Sequence, residues 1–65
     1  MNVLEIRRTI AAIAAGAGDP EAQHGNEDEL LVAVLGAIAT GADNPQELAK
    51  EALAVTKLKF PRWYA

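Results

Sequence analysis

Apolar residues recur over the first seventeen positions with the step of a helix seam: Val3, Ile6, Ile10, Ile13 and Ala17, alternating three and four apart. Leu4, Ala11 and Ala14 widen the stripe, and Glu5, Arg7, Arg8, Thr9 and Ala12 take the remaining faces. Asn2 followed three residues later by Glu5 has the spacing of a capping box, in which side chains satisfy the free N–H groups of a helix start. The pattern predicts a first helix over about 3–15, with Gly16 just past its end.

The pattern lapses between Gly16 and Gly25, which reads as a mobile connection. Asp19-Pro20-Glu21 resembles a helix start, worth one short turn before a break at Gly25. A second helix is predicted over about 27–40, with Asn26 as its cap and Glu27, Asp28 and Glu29 in the first turn, where negative charge is favoured. Beyond Glu29 no charged residue occurs until Asp43. Leu30, Leu31, Val34, Leu35 and Ile38 form the main stripe, and Val32, Ala33, Ala37 and Ala39 leave the other faces apolar or small. A helix apolar nearly all round is expected to be covered nearly all round. Asn44-Pro45-Gln46-Glu47 combines a cap, a proline at the first position and a capping-box glutamate. It opens a third helix over about 45–57, buried through Leu48, Ala52 and Val55. Phe60 precedes Pro61 and is biased to extended backbone.

The fold class expected is therefore all-α: one domain spanning 1–65, a three-helix bundle with an extended aromatic tail over 58–65. That tail contains every aromatic residue of the chain, Phe60, Trp63 and Tyr64, and with Lys57 just before it three of the six basic residues. An alanine-rich core leaves shallow holes, which Phe60 and Trp63 are expected to fill by folding back. Arg62 and Tyr64 then become the outward-facing positions.

Length sharpens this picture. A core of 65 residues rarely supplies more than about 3–5 kcal/mol and usually requires a staple. With no cysteine, neither a disulfide nor a thiolate zinc site is possible. Self-association is the staple that remains, and a homodimer or larger assembly is expected. Its seam is assigned to Val3, Ile6, Ile10 and Ile13 of the first helix against Leu31, Val34, Leu35 and Ile38 of the second. Phe60, Arg62, Trp63 and Tyr64 are the expected partner-binding residues.

The net charge of −3 disfavours broad phosphate-backbone affinity and a basic membrane-surface helix. The longest apolar run, 30–39, is half of a membrane span, and the charged start Glu5-Arg7-Arg8 is unlike a signal peptide. A soluble, cytoplasmic protein is expected.

Candidate chemistry is sparse. His24 lies near Asp19, Glu21, Glu27 and Asp28, where it could act as a base or a metal ligand, but a glycine-flanked loop gives little rigid support. The reading favoured is a solvated loop histidine. Three consecutive acids on a helix point in three directions and chelate poorly, so Glu27-Asp28-Glu29 reads as dipole compensation. Gly16-Ala17-Gly18 lacks the lysine and preceding strand of a phosphate loop. There is no serine, and the threonines have no nearby base in sequence. No catalytic, cofactor or metal residue is assigned, and an enzyme is not expected. The hairpin of helices two and three could serve as a helix-turn-helix DNA reader, but its second helix begins Gln46-Glu47 and carries Glu51, and the two glutamates would set carboxylates against phosphates. That DNA-binding regulator, and a purely structural oligomer, are the alternatives to a protein-interaction module.

The acidic helix start Gly25-Asn26-Glu27-Asp28-Glu29-Leu30, the alanine- and glycine-rich middle, and the terminal Phe60-Pro61-Arg62-Trp63-Tyr64-Ala65 resemble small proteins encoded by phages of actinobacteria. The resemblance covers about the last forty residues. It implies expression in a bacterial host and binding of a host protein, and it carries over no catalytic residue.

Overall fold

The computed structural model describes residues 1–62 of the chain. Three α-helices, α1 (Val3–Ala15), α2 (Pro20–Ala39) and α3 (Pro45–Ala52), are followed directly by a 3₁₀ helix, η1 (Leu53–Lys57). The described residues contain no strand. All three α-helices pack on one another. The all-helical class and the three-helix count therefore agree with the hydrophobic pattern.

α1 starts as its sequence dictates, with the Asn2 side chain accepting a hydrogen bond from the Glu5 backbone N–H at 2.9 Å. α2 departs from expectation. It begins at Pro20 rather than 27, because Asp19 is a working cap whose carboxylate accepts from the Ala22 N–H at 3.1 Å. Proline at the first helical position then presets φ without losing an internal hydrogen bond. Gly25 does not break the helix. A mid-helix glycine costs only about 0.5–1 kcal/mol, which a buried seam on the same helix can offset. The connection expected over Gly16–Gly25 thus shrinks to residues 16–19, and Asn26 lies inside α2 rather than at its start.

The far end of α2 closes in a Schellman arrangement. The Gly41 N–H donates to Ile38 O at 3.1 Å and the Ala42 N–H to Ala37 O at 3.0 Å, with Gly41 at φ +93°. α3 starts at Pro45 as predicted, but Asn44 makes no side-chain capping bond and sits in left-handed backbone at φ +53°. Its last turns tighten into η1, so the helical span 45–57 is α only as far as Ala52.

The core takes one stripe from each element: Ile6 and Ile13 of α1, Leu30 and Val34 of α2, Leu48 and Ala52 of α3, and Val55 of η1. Val3, Ile10, Leu31, Ile38, Leu58 and Phe60 pack around it, half-buried. Two polar links tie helices together. Gln23 is buried and its amide Nε2 donates to Ile13 O at 2.9 Å, satisfying a carbonyl near the end of α1. On the surface, Arg7 Nε donates to Glu51 Oε1 at 2.6 Å, joining α1 to α3. That hydrogen bond, and then the charge of Glu51, raise the Arg7 pKa above the ordinary arginine range.

These placements redirect the expected oligomer seam. Ile6, Ile13 and Val34 are buried in the chain's own core, and Val3, Ile10, Leu31 and Ile38 pack against it. Of the eight residues assigned to the seam, only Leu35 is fully on the surface. A three-four seam has the same spacing whether it meets another copy or the next helix of the same chain, and here Ile6 and Ile13 meet their own chain.

Candidate functional site

Two features of α2 stand out, one polar and one apolar, on different sides of the helix. The buried stripe of α2 reads Gln23, Glu27, Leu30, Val34, a four-three-four spacing whose first half is polar. Glu27 is only 5% exposed. Its carboxylate is held by Arg62, with Nε donating to Oε2 at 2.9 Å and Nη2 to Oε1 at 2.9 Å. The fork geometry matches a planar carboxylate to a planar guanidinium. Nη2 also donates to Leu58 O at 3.0 Å and Val55 O at 3.3 Å, so the same cation serves carbonyls at the end of η1. The guanidinium carbon lies 3.9 Å from the centre of the Phe60 ring, a cation–π stack.

Three expectations change here. Arg62 does not face outward: it is turned in against Glu27, and its side chain is about one quarter exposed. Glu27 is not a surface acid offsetting a helix dipole but the buried half of an ion pair more than a full turn inside α2. His24 is not in a loop. It sits on α2 with a largely covered side chain, its Nε2 3.5 Å from Asp28 Oδ2 one turn on. Phe60 packs against the core, as its capping role requires. Trp63 and Tyr64, the other expected tail contacts, lie outside the described residues. The burial of Glu27 was legible in the spacing, since running back from Leu30 by three residues reaches Glu27 and, four further on, Gln23 lies on the same stripe; its partner Arg62 was not.

One ligand atom each from His24, Glu27 and Asp28 falls within 4.8 Å of the others. A cation there would share Glu27 with a guanidinium already bonded to both of its oxygens. The donor set suits an ion pair better than a metal centre. The hydroxyls are equally committed: Thr9 Oγ1 donates to Glu5 O, Thr40 Oγ1 to Gly36 O, and Thr56 Oγ1 to Leu53 O, each within its own helical segment.

The apolar feature is a groove of about 280 Å³ between α2 and the α3–η1 segment, lined by Leu31, Val34, Leu35, Ala49, Ala52 and Leu53. Its walls carry large residues that the described residues leave uncovered: Leu35 is 65% exposed and Leu53 58%. Val32, 69% exposed, extends the apolar surface along α2. Exposed leucines scattered singly are ordinary, whereas a contiguous group beside a groove marks a contact surface. No helix among the described residues is long and apolar enough to cross a membrane. No protein-family model, curated protein or solved structure matches the chain.

Proposed function

We propose that the chain is a small, non-enzymatic protein–protein interaction module that self-associates through the α2–η1 face. The observation that carries this reading is the juxtaposition of exposed Val32, Leu35 and Leu53 with an apolar groove, on a helix without charge from Leu30 to its end. Covering such a face contributes about 25 cal/mol per Å² of apolar surface removed from water. A domain of this size is otherwise short of core, so the partner completes the fold's energetics as well as its surface. The acidic balance of the chain and exposed Glu47 on α3 speak against nucleic acid as the partner. The resemblance to actinobacterial phage proteins extends the proposal to action in a bacterial cytoplasm, with a host protein as the second class of partner.

Light scattering after size exclusion tests the reading. The intact chain should elute above 6.9 kDa at high micromolar concentration. Leu35→Glu and Leu53→Glu should elute as monomers that keep their helical circular dichroism, since neither side chain belongs to the core. An intact chain that stays at monomer mass across that range overturns it.

A further inference from the structure

We infer that the occupant of this face is a second copy of the chain, its α2 lying antiparallel across Val32 and Leu35 about a two-fold axis. The inference rests on the self-association proposed above and adds the surface and the orientation.

Spacing is the first argument. Asp28, Val32, Leu35 and Ala39 follow one another by four, three and four, and all four are exposed. They repeat the step of the buried stripe Gln23, Glu27, Leu30, Val34. α2 therefore carries two helix–helix seams on different sides, one filled by its own chain and one open. The open seam reads acid, valine, leucine, alanine. Turned end for end, it places Val32 against Leu35 of the other copy twice over, and Asp28 against Ala39. An isologous contact requires this self-complementarity.

Charge fixes the direction. The start of α2 carries Glu27, Asp28 and Glu29, whereas residues 30–42 carry no charge. A parallel pair would bring Asp28 of one copy against Asp28 of the other. The antiparallel pair separates them by eleven residues of helix rise, about 16 Å. That is beyond the roughly 8 Å screening length at physiological salt.

Surface area supports a partner of this kind. A monomeric protein of 6.9 kDa is expected to expose about 4000 Å², from the scaling of surface with mass. This chain exposes 4589 Å². Its radius of gyration is 11.8 Å, against about 10.7 Å for a compact 65-residue domain. The shape is a slab 14 Å thin along its shortest axis.

The chain has no cysteine, so introduced thiols report contacts without background. Tagged Asp28→Cys and untagged Ala39→Cys chains are oxidised separately and as a mixture, with mass read by light scattering on the reduced samples. The expected result is a mixed disulfide at least about tenfold more abundant than either homotypic one, since a disulfide requires Cβ atoms about 3.5–4.5 Å apart. A dimer that cross-links Asp28→Cys to itself or Ala39→Cys to itself, or gives no excess of the mixed species, overturns the antiparallel seam and leaves self-association standing. A monomer in the reduced samples overturns both.

Discussion

Arg62 reaches across 35 positions of sequence to grip both carboxylate oxygens of Glu27. The pair joins the segment after η1 to the side of α2 that faces the core. Removing the arginine would leave a carboxylate buried without its cation, a change that destabilises by about 3–5 kcal/mol. That is comparable to the whole stability of a domain this small. Arg62→Ala should therefore be largely unfolded by circular dichroism at 25 °C. The double variant Glu27→Met/Arg62→Met, which removes both charges and retains bulk, should recover most of the helical signal. A double-mutant cycle in urea checks the coupling.

Two glycines should respond to alanine with opposite signs. Gly25 lies within α2, and a methyl group there would meet nothing within 4 Å. Gly25→Ala should stabilise by about 0.5–1 kcal/mol. Gly41 holds φ at +93° in the turn that ends α2. There a methyl group is strained whatever the space, and Gly41→Ala should destabilise by about 1–2 kcal/mol. Paired thermal melts at low protein concentration separate the two.

The start of α2 can be tested at two residues. Asp19 accepts the Ala22 N–H, so Asp19→Ala should lower stability by about 1 kcal/mol. Asn26 is an exposed residue in the helix interior, so Asn26→Ala should raise it by a few tenths through helix propensity. If α2 instead began at 27, Asn26→Ala would be the destabilising variant and Asp19→Ala would be near neutral. Urea midpoints for the two variants decide the matter.

Gln23 offers a subtler comparison. Its Nε2 bonds Ile13 O, while its buried Oε1 has no hydrogen-bond partner among the described residues. Ile13 O also accepts from the Gly16 N–H at 3.0 Å, so it keeps a bond when Gln23 is replaced. Gln23→Leu preserves bulk and removes the unsatisfied oxygen, and should stay within about 1 kcal/mol of the parent. Gln23→Ala leaves a void under α1 and should lose about 1–3 kcal/mol. Equal losses in the two would place the value of this residue in its hydrogen bond rather than its volume.

The periodicity of the chain made the helices legible because α1 and α3 write their buried stripes in apolar residues. It failed at the start of α2 because that stripe opens with Gln23 and Glu27, polar residues that a hydrophobic pattern assigns to solvent. Gly25 reinforced the error: a glycine signals a break only where nothing else holds the helix, and Asp19 caps this one from the other side. The apolar surplus of α2 was legible and so was its need for cover. What sequence could not apportion was which side its own chain would take, since Leu31, Val34 and Leu35 are interchangeable on a wheel. Arg62 was unreadable for a related reason. A guanidinium beside aromatics looks like a binding surface until its counter-ion, 35 residues away, is known to be buried.

That separation also sets an order of events during synthesis. At roughly 5–20 residues per second, the interval between adding Glu27 and adding Arg62 is about 2–7 s. Helical segments form within about a microsecond. Glu27 is thus in the chain for seconds before its cation has been made, over which time an unpacked α2 is marginal in water. Over that interval the α1–α2 pair cannot bury Glu27 at low cost, so the nascent helix keeps that side in water. The ion pair acts as a late lock, tying final packing of the bundle to arrival of Arg62.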